Sequence, residues 1–329
     1  MKLLKISKLQ IAQVGAGRFG RFHLDDWKKL AKVHQVDFKG VLVRNAAKRK
    51  MVEETYVVPT FSAVTPNFLR SLDGIDIVTP PSTHFALVKR CLPFTNVFVE
   101  KPLTLSRKQT EELVSLANKF QHILFVGHIY RFNNAVVALR ALIQKEKSKG
   151  NEPFFVELNF FDYVEKPTDD CGILFSDLHC FDIIDFLIGV PPLSVDGITT
   201  KYRPERRHED DAHVVFHYPN KLQVAIKLTW NGLPKTRTVD VFFRDKKIHT
   251  NLAEQTISVE EQTVGRCKML RCFREMPLMT ELKHFLNVLA AKPAAVSYPD
   301  GATALRIQRV VEYIYQSAKA HRRIKIQKV

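Results

Sequence analysis

Residues 9–20 read LQIAQVGAGRFG, an apolar strand pattern that runs without a break into a glycine-rich turn. The glycines have the spacing G-x-G-x-x-G, in which the first permits a tight bend, the second lets the backbone approach a pyrophosphate, and the third lets the next helix pack on the strand. Residues 18–33 have a helical pattern, so the motif predicts nucleotide binding, although such glycines also occur for purely structural reasons. The candidate cofactor-binding residues of this stretch are Gly15, Gly17, Arg18, Phe19 and Gly20.

The second predicted strand ends without the carboxylate that commonly binds the adenine ribose of a dinucleotide. It ends instead at Arg44 and Asn45, and Lys48, Arg49 and Lys50 follow. Because a guanidinium suits a 2′-phosphate that a carboxylate would repel, the sequence favours NADP(H) over NAD(H), which remains possible. Arg44 and Asn45 are therefore candidate cofactor-binding residues, whereas the three later basic residues also fit the solvated face of a helix.

A charged motif, Glu100-Lys101-Pro102, follows the apolar run 97–99. A lysine at the carboxyl end of a buried parallel strand points into the crevice where doubly wound sheets bind ligands, although a lysine that merely ends a strand at the surface has the same pattern. The preceding predicted strand ends at Thr79 and Pro80, and a helix with His84 follows. We expect these ends to lie beside the glycine turn, so the further cofactor-binding candidates are Thr79, Pro80, His84, Glu100 and Lys101.

The pattern of short apolar runs and helices predicts an α/β fold with two domains. Residues 1–127 alternate strands and helices, as in a Rossmann domain with a doubly wound parallel sheet. Residues 128–329 contain alternating runs at 213–216, 222–228 and 238–243, which indicate an α+β domain on an open, mostly antiparallel sheet. A continuous helix is predicted near 176–188.

Composition excludes several classes of protein. No apolar run spans a bilayer, and Met1–Lys8 is too short and too charged for a signal peptide, so we expect a cytoplasmic protein without membrane contact. Five cysteines without metal-ligand spacing predict reduced thiols and no metal site. The net charge of +16 is dispersed and no nucleic-acid motif is present, which favours a small anionic cofactor or substrate over nucleic acid.

These motifs together resemble the glucose-fructose oxidoreductase, inositol dehydrogenase and MocA (Gfo/Idh/MocA) family of NAD(P)-dependent sugar oxidoreductases. The resemblance covers nearly the whole chain and rests on 15–23, 79–84, Glu100-Lys101-Pro102, 131–133 and 277–285. Residues 126–133 are similar to the branch that oxidises C3 of UDP-N-acetylated sugars. That branch usually has Glu where Tyr130 stands and Pro where Asn134 stands.

The resemblance implies a role for each domain. Lys101 would lie between the nicotinamide and the sugar and bind the reacting oxygen, while Glu100 and Pro102 would hold its backbone. The second domain would carry the substrate and the contacts of a homo-oligomer, a dimer or tetramer formed through its sheet. Arg131 would meet a phosphate or cofactor group, or else make a salt bridge at the start of a helix.

Family members also place an aspartate four residues before a catalytic histidine. If His179 takes the histidine position and accepts the substrate's hydroxyl proton, the aspartate position falls on Phe175. An alignment that recovers Asp177 instead puts Phe181 in the histidine position. One member of the pair is missing either way, and the candidate substrate-binding residues are Lys101, Arg131, Phe175, Asp177 and His179.

The sequence therefore leads to three functional hypotheses. The first is a dehydrogenase or reductase that transfers hydride between a nicotinamide and a secondary alcohol or ketone of a sugar or nucleotide sugar. The second is an NADP(H)-binding regulator or scaffold that has lost turnover, as the apolar Phe175 suggests. The third is a reductase of a non-sugar substrate on the same fold.

Overall fold

The computed structural model describes residues 8–33, 36–167, 171–261, 266–291 and 297–327, except for the side chains at 266 and 272. Most of the stretch on which the signal-peptide expectation rests, residues 1–7, and the side chain of Cys272 lie outside this description. The chain forms two compact units. One comprises Met1–Gly127 and Leu278–Leu305, and the other comprises His128–Pro277 and Arg306–Val329.

Strands and helices alternate through residue 127. Their bounds are β1 (Leu9–Val14), α1 (Arg18–Val33), β2 (Val36–Leu42), α2 (Ala46–Tyr56), β3 (Thr60–Phe61), α3 (Pro66–Arg70), β4 (Gly74–Ile77), α4 (Pro81–Cys91), β5 (Asn96–Glu100), α5 (Arg107–Phe120) and β6 (Leu124–Gly127).

From residue 134 onward the pattern changes to long runs of strands. The bounds are α6 (Asn134–Lys147), β7 (Phe155–Tyr163), α7 (Ile173–Ser176), α8 (His179–Ile188), β8 (Ser194–Thr200), β9 (Asp211–His217), β10 (Gln223–Thr229), β11 (Asn231–Phe242), β12 (Lys246–Asn251), β13 (Thr256–Glu261), β14 (Arg266–Cys272), α9 (Pro277–Ala290), α10 (Gly301–Ala320) and β15 (Ile324–Lys325). Short 3-10 turns cover Ile129–Phe132 and Pro219–Lys221.

The first unit is built on a parallel sheet with the strand order β3-β2-β1-β4-β5-β6. Val97, Phe98 and Val99 of β5 are all fully buried, because a parallel sheet is covered on both faces. The strand order reverses between β1 and β4. Since ligands of doubly wound sheets bind at the carboxyl ends of the strands beside such a reversal, the glycine turn after β1 and the segments after β4 and β5 lie at the expected binding edge.

The second unit contains a sheet with the order β14-β13-β12-β11-β7-β10-β9-β8-β15 within the described residues. β7 and β10 pair in parallel and the other pairs are antiparallel. Val156, Leu158 and Phe160 alternate along β7 and point into the apolar core with residues of α6 and α8. The predicted fold class, a Rossmann sheet followed by a mostly antiparallel α+β sheet, is confirmed.

The helical stretch predicted near 176–188 is helical from His179 to Ile188 but is interrupted before it. α7 ends at Ser176 and α8 begins at His179, and Asp177 between them has a non-helical backbone, with φ −98° and ψ 35°. Helical spacing therefore does not decide which face Asp177 shares with its neighbours. No helix within the described residues is both long and apolar enough to cross a membrane.

Candidate active site

The glycine turn after β1 contains two glycines that the protein itself requires. Gly15 has a positive φ of 98°, and a Cβ atom there would lie 2.2 Å from the carbonyl oxygen of Val78. A Cβ atom on Gly20 would lie 2.7 Å from the carbonyl oxygen of Gly15. These contacts explain the tight bend and the close packing of α1.

Gly17 differs, because a Cβ atom there would meet no described atom within 4 Å. Its backbone is also exposed. The fold therefore does not require a glycine at this position. The absence of a side chain instead leaves the backbone open to a pyrophosphate, as in this motif. The turn thus fits a dinucleotide.

Gln13 holds the glycine turn from below. Its buried side-chain amide donates hydrogen bonds to the carbonyl oxygens of Gly15 and Gly20, each at 2.7 Å. Both ends of the turn are tied to the same strand residue, so the backbone amides that would face phosphate are fixed before any ligand binds.

The backbone around Lys101 is held on both sides. The backbone N–H of Lys101 donates to Oε2 of Glu100 at 3.2 Å. The ring of His84 lies between two backbone carbonyls, with Nδ1 2.8 Å from the oxygen of Pro102 and Nε2 2.8 Å from the oxygen of Thr79. His84 is fully buried, so it ties the ends of β4 and β5 together, and a direct contact between His84 and a cofactor remains a prediction.

A buried charged cluster lies under the same segment. His23 of α1 has Nδ1 2.9 Å from Oδ2 of Asp76 and Nε2 3.3 Å from Oε1 of Glu100. The indole N–H of Trp27 also donates to Oδ2 of Asp76, at 2.7 Å. Burial would lower the pKa of His23, but the carboxylates of Asp76 and Glu100 raise this pKa to about 10. The ring is therefore an imidazolium at neutral pH.

The second unit contains its own cluster around His179, the first residue of α8. The rings of Tyr130 and His179 meet edge to face with centroids 5.0 Å apart, and Tyr130 packs in the same way on Phe160 at 5.7 Å. Burial raises the pKa of Tyr130 to about 12, although the positive charge of Arg237 acts in the opposite direction. A protonated phenol thus stands beside the candidate base.

The side chain of Asp177 is oriented by the helix break. Its Oδ2 accepts a hydrogen bond from the indole N–H of Trp230 at 3.1 Å. Its charge also acts on Tyr130, which contacts His179. The negative charge of Asp177 therefore favours the protonated phenol of Tyr130, the residue that contacts the ring of His179.

Phe175 is half-buried and packs on an aromatic neighbour. Its ring stacks on Tyr315 with centroids 6.3 Å apart, and the hydroxyl of Tyr315 donates to Oε1 of Glu209 at 2.6 Å. Phe181, the alternative occupant of the histidine position, is 3% exposed and belongs to the apolar core. This burial favours His179 over Phe181 as the residue available to a substrate.

Arg131 is engaged by two aspartates of α8. Its Nε donates to Oδ1 of Asp182 and one terminal nitrogen donates to Oδ2 of Asp185, both at 2.7 Å. Burial raises the pKa of Asp182, while Arg131 lowers it. Arg306 also donates to Asp185. These contacts favour the salt-bridge alternative for Arg131 over a contact with a ligand phosphate.

Comparison with known proteins identifies both parts of the chain. Residues 9–128 match the model of the oxidoreductase family with the NAD-binding Rossmann fold, GFO_IDH_MocA. Residues 162–249 match the GFO/IDH/MocA C-terminal domain. The chain belongs to the GFO/IDH/MocA oxidoreductase family. The resemblance seen in the sequence is confirmed, and the family is an NAD-binding one.

Two family relatives extend over nearly the full length. A UDP-N-acetylglucosamine 3-dehydrogenase from Acidithiobacillus ferrooxidans is 23% identical over 92% of this chain and 97% of its own length. Its crystal structure superposes with a TM-score of 0.80 over 95% of this chain and 98% of the other, at 22% identity. A myo-inositol 2-dehydrogenase from Thermotoga maritima is 25% identical over 98% of this chain and 99% of its own.

A second similar structure is that of the WlbA dehydrogenase from Bordetella pertussis, solved in complex with NADH and UDP-GlcNAcA. It has a TM-score of 0.77 at 18% identity, over 98% of this chain and 100% of the other. At such identities the structural likeness shows the fold. The ligand-contacting residues of the present chain are therefore inferred from its own geometry.

The remaining cofactor-binding candidates stay predictions, and the structure gives their positions. Arg18 and Phe19 are exposed in the first turn of α1, and Arg44 and Asn45 are exposed at the end of β2, where Asn45 caps α2 by accepting from the N–H of Lys48 at 2.9 Å. Thr79 and Pro80 follow β4. No group of three His, Cys, Asp or Glu side chains is arranged like metal ligands within the part of the chain that the structure describes.

Several residues of these clusters were not candidates on sequence grounds. Tyr130 was visible as a departure from the nucleotide-sugar branch, and that difference was the available signal. His23 ends the motif 15–23 but had no assigned role, and Arg237 gave no signal, because their partners are distant in the sequence. Only the fold brings them next to Glu100 and Tyr130.

The imidazolium of His23 predicts a pH-dependent stability. An unfolded imidazole has a pKa of about 6.5, so the stabilisation is fully present below that pH and is lost as the pH rises through the folded value of about 10. We expect a His23→Gln variant to be less stable than wild type by on the order of a few kcal/mol at pH 7, and the difference to shrink toward pH 10. Urea unfolding across this range measures it. A difference that stays constant from pH 7 to 10 would contradict a buried imidazolium.

Proposed function

We propose that the protein transfers hydride between a nicotinamide cofactor and a secondary alcohol or ketone of a sugar or nucleotide sugar. The observation that carries this proposal is the position of Lys101. It follows β5 at the same sheet edge as the glycine turn, and its backbone is held by Glu100 and, through Pro102, by His84. The full-length relatives named for UDP-N-acetylglucosamine and myo-inositol support a polyhydroxylated substrate.

Four residues have roles in this proposal: Lys101, His179, Tyr130 and Asp177. When bound, the nicotinamide supplies the hydride chemistry, and the protein supplies orientation and charge. The ammonium of Lys101 binds the reacting oxygen and stabilises its negative charge. His179 takes the hydroxyl proton during oxidation, and the protonated phenol of Tyr130 keeps the ring of His179 in place. Asp177, oriented by Trp230, binds a substrate hydroxyl or assists His179.

Activity assays test the proposal directly. Purified protein is incubated with NADPH or NADH and a panel of keto-sugars, and in the oxidative direction with UDP-N-acetylglucosamine and myo-inositol. Steady turnover with at least one polyhydroxylated compound supports the proposal. Tight cofactor binding without turnover on any compound would instead favour the second hypothesis, an NADP(H)-binding regulator or scaffold. The apolar Phe175 is the reason for that hypothesis.

We also propose that NADP(H) is preferred, and that Arg44 is the reason. The neighbouring Arg49 is turned back, because its guanidinium donates to the carbonyl oxygens of Val43 and Arg44 at 3.2 Å and 2.9 Å. The side chain of Arg44 is exposed at the end of β2, where the adenine ribose of a dinucleotide binds in this fold. It is therefore placed to meet a 2′-phosphate.

Replacing Arg44 with glutamine is expected to weaken NADPH binding by roughly 10- to 100-fold and to change NADH binding little, since one charge-assisted contact is lost. Fluorescence titration with each cofactor measures this. Lys50→Gln is the matched control, because Lys50 is an exposed cation of α2 that lies 3.9 Å from Glu54. Equal loss in both variants would indicate a diffuse charge effect and contradict a specific contact.

A homo-oligomer formed through the second sheet is also proposed. On β7 the residues that alternate with the core positions include Phe155 and Phe161, which remain half-buried on the face opposite the apolar core. Apolar rings on an open sheet face are the kind of surface that a second copy covers. Light scattering after size-exclusion chromatography distinguishes a monomer from a dimer or tetramer. The cytoplasmic location stays a prediction.

A further inference from the structure

The charged cluster beneath Lys101 contains more ionic groups than packing needs. His23 and Asp76 are fully buried and Glu100 is 7% exposed. Removing charges from water is costly unless each is paired, and apolar residues of similar volume would stabilise a fold as well. A cluster of this kind at the edge of a candidate site suggests a use beyond stability.

The cluster links the glycine turn to Lys101 through a chain of short contacts. α1 begins at Arg18 within the turn, and His23 is in its second turn. Nε2 of His23 lies at ion-pair distance, 3.3 Å, from Oε1 of Glu100, and the other carboxylate oxygen of Glu100 accepts the N–H of Lys101 at 3.2 Å. The carboxylate also packs closely on Gly127, where a Cβ atom would lie 2.7 Å from Oε1.

We infer that His23 is a positioning residue for Lys101, which it fixes relative to the glycine turn by holding the carboxylate of Glu100. The inference rests on the proposed function, in which Lys101 contacts the substrate oxygen. Its physical basis is one ion pair. This pair joins α1, whose start would bind the cofactor, to the segment that carries the ammonium of Lys101. A displacement of about 1 Å between reacting groups lowers a rate by about 100-fold.

Two contacts of the cluster distinguish positioning of Lys101 from a purely structural role. Asp76 receives both the imidazole of His23 and the indole of Trp27, so the Trp27 contact stabilises the cluster without touching Glu100. The contact between His23 and Glu100 leads to Lys101. A variant of Trp27 therefore tests the structural role, and variants of His23 and Glu100 test the positioning role.

The experiment compares His23→Gln, Glu100→Gln, the double variant and Trp27→Phe by steady-state kinetics and by cofactor titration. We expect His23→Gln to lower kcat by about 10- to 100-fold while the cofactor Kd changes by less than about threefold. The double variant should be no slower than the slower single variant, because both changes break one contact. Trp27→Phe should lower the melting temperature and leave kcat within about twofold of wild type.

A second readout does not depend on turnover. The rate at which an amine-reactive reagent labels Lys101, followed by peptide mass spectrometry, reports on the position of the ammonium, with the exposed Lys50 as internal reference. His23→Gln should change the rate at Lys101 and leave that at Lys50 unchanged. Unchanged kcat or unchanged labelling in His23→Gln, or an equal fall of kcat in Trp27→Phe, would overturn the inference. Wild-type protein without turnover would overturn the proposed function and leave the labelling result to decide on positioning.

Discussion

Replacing Lys101 with methionine is expected to lower kcat by about 1000-fold, with NADPH binding nearly unchanged. Methionine has a similar length and removes the charge, so the reacting oxygen loses its electrostatic stabilisation in the transition state. The backbone contact to Glu100 is kept, because it uses the N–H of residue 101. Stopped-flow measurement of cofactor oxidation with the best substrate from the panel gives kcat, and fluorescence titration gives the cofactor Kd.

The matched control is Lys108→Met, which removes an exposed lysine of α5. It changes the net charge by the same amount as Lys101→Met but lies outside the motif. It should therefore retain wild-type rates. Lys101→Arg keeps the charge but alters its geometry and should recover only part of the rate. Full activity of Lys101→Met would remove the lysine from the mechanism and leave its motif with a structural role.

Replacing His179 with glutamine is expected to lower kcat by about 100- to 10,000-fold, which is the range for loss of a general base. Glutamine retains a polar side chain next to Tyr130 but cannot accept the hydroxyl proton at a useful rate. The fall should be larger in the oxidative direction at neutral pH than at high pH, where hydroxide replaces part of the missing base. Kinetics over a range of pH in both directions measure it.

Comparison of Asp177→Asn with His179→Gln shows whether Asp177 is the partner of His179 or a substrate-binding residue. The amide oxygen of asparagine still accepts the indole N–H of Trp230, so the variant removes the charge with little change in packing. A fall in kcat comparable to that of His179→Gln identifies Asp177 as its partner, whereas a rise in KM alone assigns it to substrate binding. His213→Gln, a change at an exposed histidine of β9, is the control. Equal losses in the control would show that the effect is not specific to position 179.

The Rossmann sheet was predictable because its signals are local. The apolar run before Gly15 and the glycine spacing define one strand, one turn and one helix without reference to distant residues. The second sheet was predictable only in part. The strands from Lys246 to Cys272 have few apolar residues, so they lack the clean alternation that marks a half-buried strand.

The candidate site was predictable where a single motif carries it and not where distant segments meet. Lys101 and Gly17 were found from spacing. The break at Asp177 was missed because the flanking residues continue an apolar helical pattern, and helical periodicity gives no sign of a two-residue interruption. The link from His23 to Glu100 depends on the crossing of α1 over β4 and β5, which sequence spacing does not encode.

The ring at position 175 also limits substitution at that position. An aspartate there would lose its stacking partner Tyr315 and would add a negative charge near Glu209, whose carboxylate already accepts the hydroxyl of that tyrosine. A functional aspartate at this position would therefore require compensating changes at Tyr315 or Glu209, so Phe175 cannot be exchanged on its own without cost to the local packing.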